Sequence, residues 1–96
     1  RFAESYVRSR AGRLGQRRIQ HELAQRGVDQ DTISDALASE LGETELERAR
    51  AIWARKFGNA PGDAKEWARQ ARFLQTRGFA SELIRKLLKE PYDESA

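Results

Sequence analysis

The sequence has no cysteine among its 96 residues, which excludes disulfides and thiolate metal sites. This absence is compatible with a reducing cytosol, and we expect a cytoplasmic protein. No apolar run approaches the roughly 20 residues that a membrane-spanning helix needs. The sequence therefore predicts a protein with no membrane-embedded segment and no covalent cross-link.

Strand signals are also nearly absent, because β-branched residues are scattered and no period-2 alternation persists. Apolar residues instead recur at helical spacing, as in Leu46, Ala49, Trp53 and Phe57. Thr44 begins a T-x-x-E capping box and Asp63 a similar D-x-x-E start. We predict six helices, over residues 1–11, 15–26, 30–41, 44–57, 63–77 and 80–89.

The apolar fraction is low, at 39%, and the charged fraction high, at 34%, against typical values of about 45–50% and about 25%. That balance indicates much surface and little interior. It favours an elongated helical array over a compact body with a buried active site.

The sequence repeats itself at a single ungapped offset of 51 residues. This shift places Arg26-Gly27 on Arg77-Gly78, Leu23 on Leu74 and Ile33 on Ile84. Because the offset joins all three helices of each half, we predict an all-α fold of tandem three-helix repeats that form an elongated, curved array. The predicted repeats cover residues 1–42 and 43–90, followed by a C-terminal tail over 91–96.

Several segments are similar to the RecX family of bacterial regulators. The stretches Arg1–Val7, Gly15–Leu23 and Arg26–Val28 resemble the middle of such a protein, and Arg72–Phe79 followed by Glu82–Ile84 resembles its C-terminal signature. Members usually carry three repeats, and the resemblance covers the second and third. Since Arg1-Phe2 already lies inside an amphipathic pattern without an initiator methionine, we expect a further portion to precede it.

The resemblance implies a regulatory protein that is not an enzyme and needs no cofactor. RecX proteins bind the filament of the RecA recombinase and limit strand exchange, ATP hydrolysis and co-protease activity, which affects DNA repair and the SOS response. The expected partner is therefore RecA, with weak, non-specific contact to DNA. The residues agree: the single histidine, His21, has no catalytic partner at useful spacing, and Gly12–Gly15 matches neither phosphate-binding glycine motif.

A basic stripe is the candidate binding surface. Lys65, Arg69, Arg72 and Thr76 recur at i, i+4, i+7 and i+11, opposite the apolar side of their helix. Such a stripe is either a solvated helix face or a contact surface, and its recurrence in the first repeat favours contact. The candidate partner-binding residues are Arg13, Arg17, Arg18, Lys65, Arg69 and Arg72.

Other conspicuous residues have structural interpretations. Arg26 and Arg77 are predicted to cover the last carbonyls of their helices, while Gly27 and Gly78 supply left-handed helix ends. Spacing assigns Phe2, Tyr6, Trp53 and Phe57 to the core. Phe73 lies off the apolar stripe, where it either packs against the sixth helix or contacts a partner.

An alternative function is a helix-turn-helix-like module that binds nucleic acid, because three-helix units with a glycine turn also describe such domains. Against it stand a net charge of only +3 and seven carboxylates between Asp29 and Glu47 with no Lys or Arg among them. That acidic block would repel phosphate.

Overall fold

The computed structural model describes residues 1–41 and 44–89, and within these ranges the chain is helical with no strand. Each observed helix begins and ends within one residue of its predicted bounds. The six helices are α1 (Phe2–Arg10), α2 (Gln16–Gln25), α3 (Gln30–Glu40), α4 (Glu45–Lys56), α5 (Ala64–Arg77) and α6 (Ser81–Leu88). None of these helices is long and apolar enough to cross a membrane.

Side-chain caps explain where three of these helices begin. Thr44 and Glu47 form the predicted reciprocal capping box at α4, and the Asp63 carboxylate accepts a hydrogen bond from the Glu66 amide at α5. Asp29 caps α3 in the same manner. By contrast, Gly15 at the start of α2 places no side chain over the first amides of its helix.

The buried apolar residues form two separate clusters, one in each half of the chain. The cluster of α1, α2 and α3 is built on the side chains of Val7, Ile19, Leu23 and Ile33, and that of α4, α5 and α6 on Ala49, Leu74, Phe79 and Ile84. Each half therefore has its own core, as expected for two copies of one three-helix unit. The principal extents of this chain, 47 × 22 × 18 Å, confirm an elongated shape.

The turns after α2 and α5 are equivalent, as the offset of 51 predicts. Gly27 and Gly78 both adopt left-handed φ values, 85° and 103°. The next amide returns to the same helical position in each half: Val28 donates to the Leu23 carbonyl at 3.1 Å and Phe79 to the Leu74 carbonyl at 3.2 Å. The internal repeat is confirmed at this turn, whereas the predicted boundaries at residues 42–43 and 90 and the tail over 91–96 lie outside the described residues.

Only some of the aromatic residues that the spacing assigns to the core are buried in the structure. Tyr6 is buried, but Phe2 is 56% exposed, so its assignment to the core is wrong. It lies in the first turn of α1, where its ring packs against Tyr6 at 5.7 Å between centroids. Trp53 and Phe57 are half-buried. Phe73 packs on the second core, edge-on to the Phe57 ring with centroids 5.4 Å apart.

Candidate functional site

The basic residues of α5 lie on its outer face. Lys65, Arg69 and Arg72 are exposed and line one shallow groove, while Gln70 and Leu74 on the opposite side are buried. At 1.5 Å of rise per residue, the stripe from Lys65 to Thr76 is about 16 Å long. The predicted outward orientation of these three cations is therefore confirmed.

The three cations are not equally available to a partner. The Arg69 guanidinium donates to both carboxylate oxygens of Glu66, at 3.0 and 3.1 Å, and lies over the Phe57 ring. Its hydrogen bonds lower the pKa of the Glu66 carboxyl, with a further contribution from Gln70. Within the described residues, Lys65 and Arg72 make no ion pair, so they carry the net positive charge of the stripe.

The arginines predicted in the first repeat lie at the junction with the second. Arg13 is in the turn between α1 and α2, and Arg17 and Arg18 are in the first turn of α2. The Arg18 guanidinium donates to the Thr76 carbonyl at the end of α5, 3.0 Å away. Arg77 in turn donates to the Arg13 carbonyl at 3.2 Å.

A direct contact between two helix ends forms this junction, which we call the joint. The Gly15 amide donates to the Arg77 carbonyl at 2.6 Å, and the Arg17 amide to the Gly78 carbonyl at 3.1 Å. The first amides of a helix and its last carbonyls have no partner within that helix. At the joint, the unpaired carbonyls of α5 satisfy the unpaired amides of α2.

Glycine is required on both sides of the joint because the backbones approach so closely. A Cβ atom added to Gly15 would lie 2.5 Å from the Gly78 carbonyl oxygen, and one added to Gly78 would lie 2.3 Å from the Arg18 Cβ. Neither distance is sterically possible. The two helix ends can meet only because neither residue has a side chain.

A partly buried ion pair from α4 supports the joint on its other side. Arg48, only 6% exposed, pairs with Glu45 at 2.9 Å and donates to the Ala11 carbonyl beyond α1. The same Glu45 carboxylate accepts a hydrogen bond from the Gln16 amide. Thus the first turn of α4 holds the end of α1 and the start of α2 together, a role that sequence reasoning missed.

Contacts at the joint also correct the predicted role of Arg77. Arg26 does cover its own helix end, donating to the Glu22 carbonyl at 3.2 Å. Arg77, at the equivalent position, instead reaches Arg13 of the other repeat and stacks on the Phe73 ring. The reason is physical: the first repeat already occupies the last carbonyls of α5.

Two arginines of the first repeat that were not among the predicted partner-binding residues lie next to Arg13 and Arg18. Arg10 and Arg26 lie over the Tyr6 ring, at 4.3 and 4.9 Å from its centroid, and share a groove with Arg13, Arg18 and Glu22. A hydrogen bond from the Tyr6 hydroxyl at 2.6 Å, together with Arg18, lowers the pKa of the Glu22 carboxyl. The charge of this arginine group is therefore partly offset. Its only signal in the sequence was the arginine-rich run from Arg8 to Arg26.

The six candidate residues do not converge on one pocket but line three grooves. Arg13 and Arg18 share one groove, Arg17 and Arg18 share a second with Thr76, and the three α5 cations line the third. Because Thr76 is the last member of the α5 stripe, the stripe ends where the arginines of α2 begin. The candidate surface thus crosses the joint.

Comparison with known proteins finds matches along almost the whole chain. Residues 1–37 match the family model described as RecX, second three-helix domain, and residues 43–88 match RecX, third three-helix domain. Relatives named regulatory protein RecX are 49% identical over 89 residues in Leptothrix cholodnii and 46% identical over 94 residues in Chromobacterium violaceum. A third, in Neisseria meningitidis, is 37% identical over 95 residues.

These matches cover 93%, 98% and 99% of this chain and 56%, 60% and 61% of the respective relatives. The chain therefore spans less than two thirds of the length of the proteins that it resembles.

Proposed function

This chain belongs to the RecX family, and on that premise we propose that it binds the filament of the RecA recombinase and inhibits its activities. The inhibited activities are ATP hydrolysis, strand exchange and co-protease action, so the protein restrains DNA repair by recombination and the SOS response. The observation that carries the proposal is the tandem match to two family domains across residues 1–37 and 43–88. Relatives named regulatory proteins support a regulatory role.

The surface that we assign to this contact consists of Arg13, Arg17, Arg18, Lys65, Arg69 and Arg72. It belongs to both repeats, and the joint fixes the position of one set of cations relative to the other. A filament presents the same features at regular intervals, so a rigid, elongated body can contact several of them at once. Simultaneous contacts raise affinity through effective concentration when the geometry matches.

The alternative, a sequence-reading DNA module, has less support from the first repeat, although the equivalent helix of the second repeat, α6, contains Arg85 and Lys86. In a helix-turn-helix domain the second helix of the motif enters the major groove, and after the Gly27 turn that helix is α3. Its exposed residues include Asp31 and Asp35, and it contains no lysine or arginine. Such a face would be repelled by the phosphates on both sides of the groove.

The test is a titration of this chain into RecA hydrolysing ATP on single-stranded DNA. We expect the rate to fall as the chain is added and to stay low when more DNA is supplied, because the target is the filament. Recovery of the rate with extra DNA would instead mean that the chain sequesters DNA. An unaffected rate at a large excess of chain would contradict the proposal.

A further inference from the structure

The third helices of the two repeats present equivalent outer faces that differ in charge. The offset of 51 pairs four positions, which recur at i, i+3, i+4 and i+7 along each helix. We call them the α3 face (Asp31, Ser34, Asp35 and Ala38) and the α6 face (Glu82, Arg85, Lys86 and Lys89, the last at the end of the helix). All eight residues are exposed, while the opposite sides of both helices are buried in their cores. One face carries two acids and no cation, and the other carries three cations and one acid.

Most charges on these faces have no partner within the described part of the chain. There, Asp31, Asp35, Lys86 and Lys89 make no ion pair. The cations of the α5 stripe differ, because they share their groove with two acids of the same helix start, Asp63 and Glu66. The α6 face is therefore the better complement for the α3 face.

The charges of the two faces match in an antiparallel arrangement. When α3 and α6 of different copies run in opposite directions, Asp31 lies opposite Lys89. One turn further along α3, Asp35 lies opposite Lys86, and Glu82 meets no acid. Parallel helices would instead bring Asp31 against Glu82, which is a repulsive pair.

We propose that the α3 face of one copy of this chain binds the α6 face of a second copy, with the helices antiparallel. Both faces belong to one chain, so a second copy supplies the complement of each. The small side chains of Ser34 and Ala38 let the helix axes approach to about 8–10 Å. Antiparallel helices also bring the positive end of each helix dipole to the negative end of the other.

The expected association is weak and depends on salt. A contact between two short helices buries less than the about 1,200 Å² of a standard interface, which corresponds to a dissociation constant on the order of 100 µM at low salt. At the lower concentrations of an ATPase titration the chain is then monomeric. None of the six residues assigned to the RecA contact belongs to either face, so the inference is independent of the proposed function.

Sedimentation velocity of the purified chain, without RecA or DNA, tests the contact. At about 0.01 M salt, where the Debye length is about 30 Å, we expect the sedimentation coefficient to rise with chain concentration. At about 1 M salt, where that length is about 3 Å, the chain should remain monomeric. The α3 variant, Asp31→Lys with Asp35→Lys, and the α6 variant, Lys86→Glu with Lys89→Glu, should each weaken the low-salt association at least tenfold.

A mixture of the two variants tests the pairing itself. The α3 variant retains an intact α6 face, and the α6 variant retains an intact α3 face. An equal mixture should therefore associate again, although neither variant does so alone. Circular dichroism should show that both variants fold, because the substituted side chains are exposed.

A matched control removes the same charge from α5. Lys65→Glu with Arg72→Glu changes the net charge as the α6 variant does, but lies outside both faces and should alter the association less than twofold. An equal loss in this control would mean that the α3 face binds cations without regard to position, and would overturn the inference. A wild-type chain that stays monomeric at low salt, or a mixture of folded variants that does not associate, would also overturn it. Because RecA and DNA are absent, failure here leaves the result of the ATPase titration standing.

Discussion

Replacing Gly78 with alanine should lower the free energy of unfolding by about 2–5 kcal/mol. Alanine at φ 103° incurs a backbone strain of about 1–2 kcal/mol, and its Cβ collides with Arg18 across the joint. Overpacking of this kind adds about 1–3 kcal/mol. Since small domains are stable by only about 5–15 kcal/mol, the loss is a large fraction of the total. Urea unfolding followed by circular dichroism measures it.

The repeat supplies a matched control for this substitution. Gly27 has the same left-handed backbone, φ 85°, but a Cβ added there would meet nothing within 4 Å. Gly27→Ala should therefore show the strain alone, about 1–2 kcal/mol. The difference between the two variants isolates the joint. Equal losses at Gly78 and Gly27 would mean that the contact between the helix ends contributes nothing to stability.

Reversing two charges on α5, Lys65→Glu with Arg72→Glu, should raise the concentration needed for half-inhibition of RecA at least tenfold. These are the two cations of the stripe that lack an ion-pair partner among the described residues. A contact with the filament would therefore lose its electrostatic attraction at both positions. Arg69 is left unchanged, because it pairs with Glu66 and covers Phe57. Surface changes without such contacts move stability by only about 0.5 kcal/mol, so the melting temperature should stay near wild type.

The control for this variant is Arg50→Glu with Lys86→Glu. It changes the net charge by the same amount at exposed positions on α4 and α6, outside the proposed surface. We expect it to inhibit nearly as well as the wild type. If both double variants lose RecA inhibition to the same extent, the loss reflects net charge and not position. The α5 stripe would then be an ordinary solvated face.

The helices and the repeat were predictable because their signals are local. Thr44 and Asp63 mark helix starts within four residues of sequence, and the glycines at 27 and 78 mark equivalent helix ends. Periodicity likewise placed Lys65, Arg69 and Arg72 on an outer face. Each of these inferences depends only on the geometry of one helix, which the sequence specifies directly.

The joint could not be predicted, because it depends on contacts between distant residues. Arg18 and Thr76 are 58 positions apart, and Arg77 and Arg13 are 64 apart. The repeat even misleads here, since it makes Arg26 and Arg77 look alike although, among the described residues, Arg77 donates to the other repeat and Arg26 to its own helix. Burial of Arg48 has no sequence signal either, because the carbonyl that it binds, that of Ala11, belongs to the other repeat.

The most direct test of the central claim is sedimentation of this chain with RecA filaments assembled on single-stranded DNA with a non-hydrolysable ATP analogue. We expect the chain to pellet with the filament and to bind at least tenfold more weakly to the same DNA without RecA. Equal binding to naked DNA would support a nucleic-acid module instead. A chain that stays in the supernatant at saturating filament concentrations would contradict the proposal that this RecX family member acts on the RecA filament.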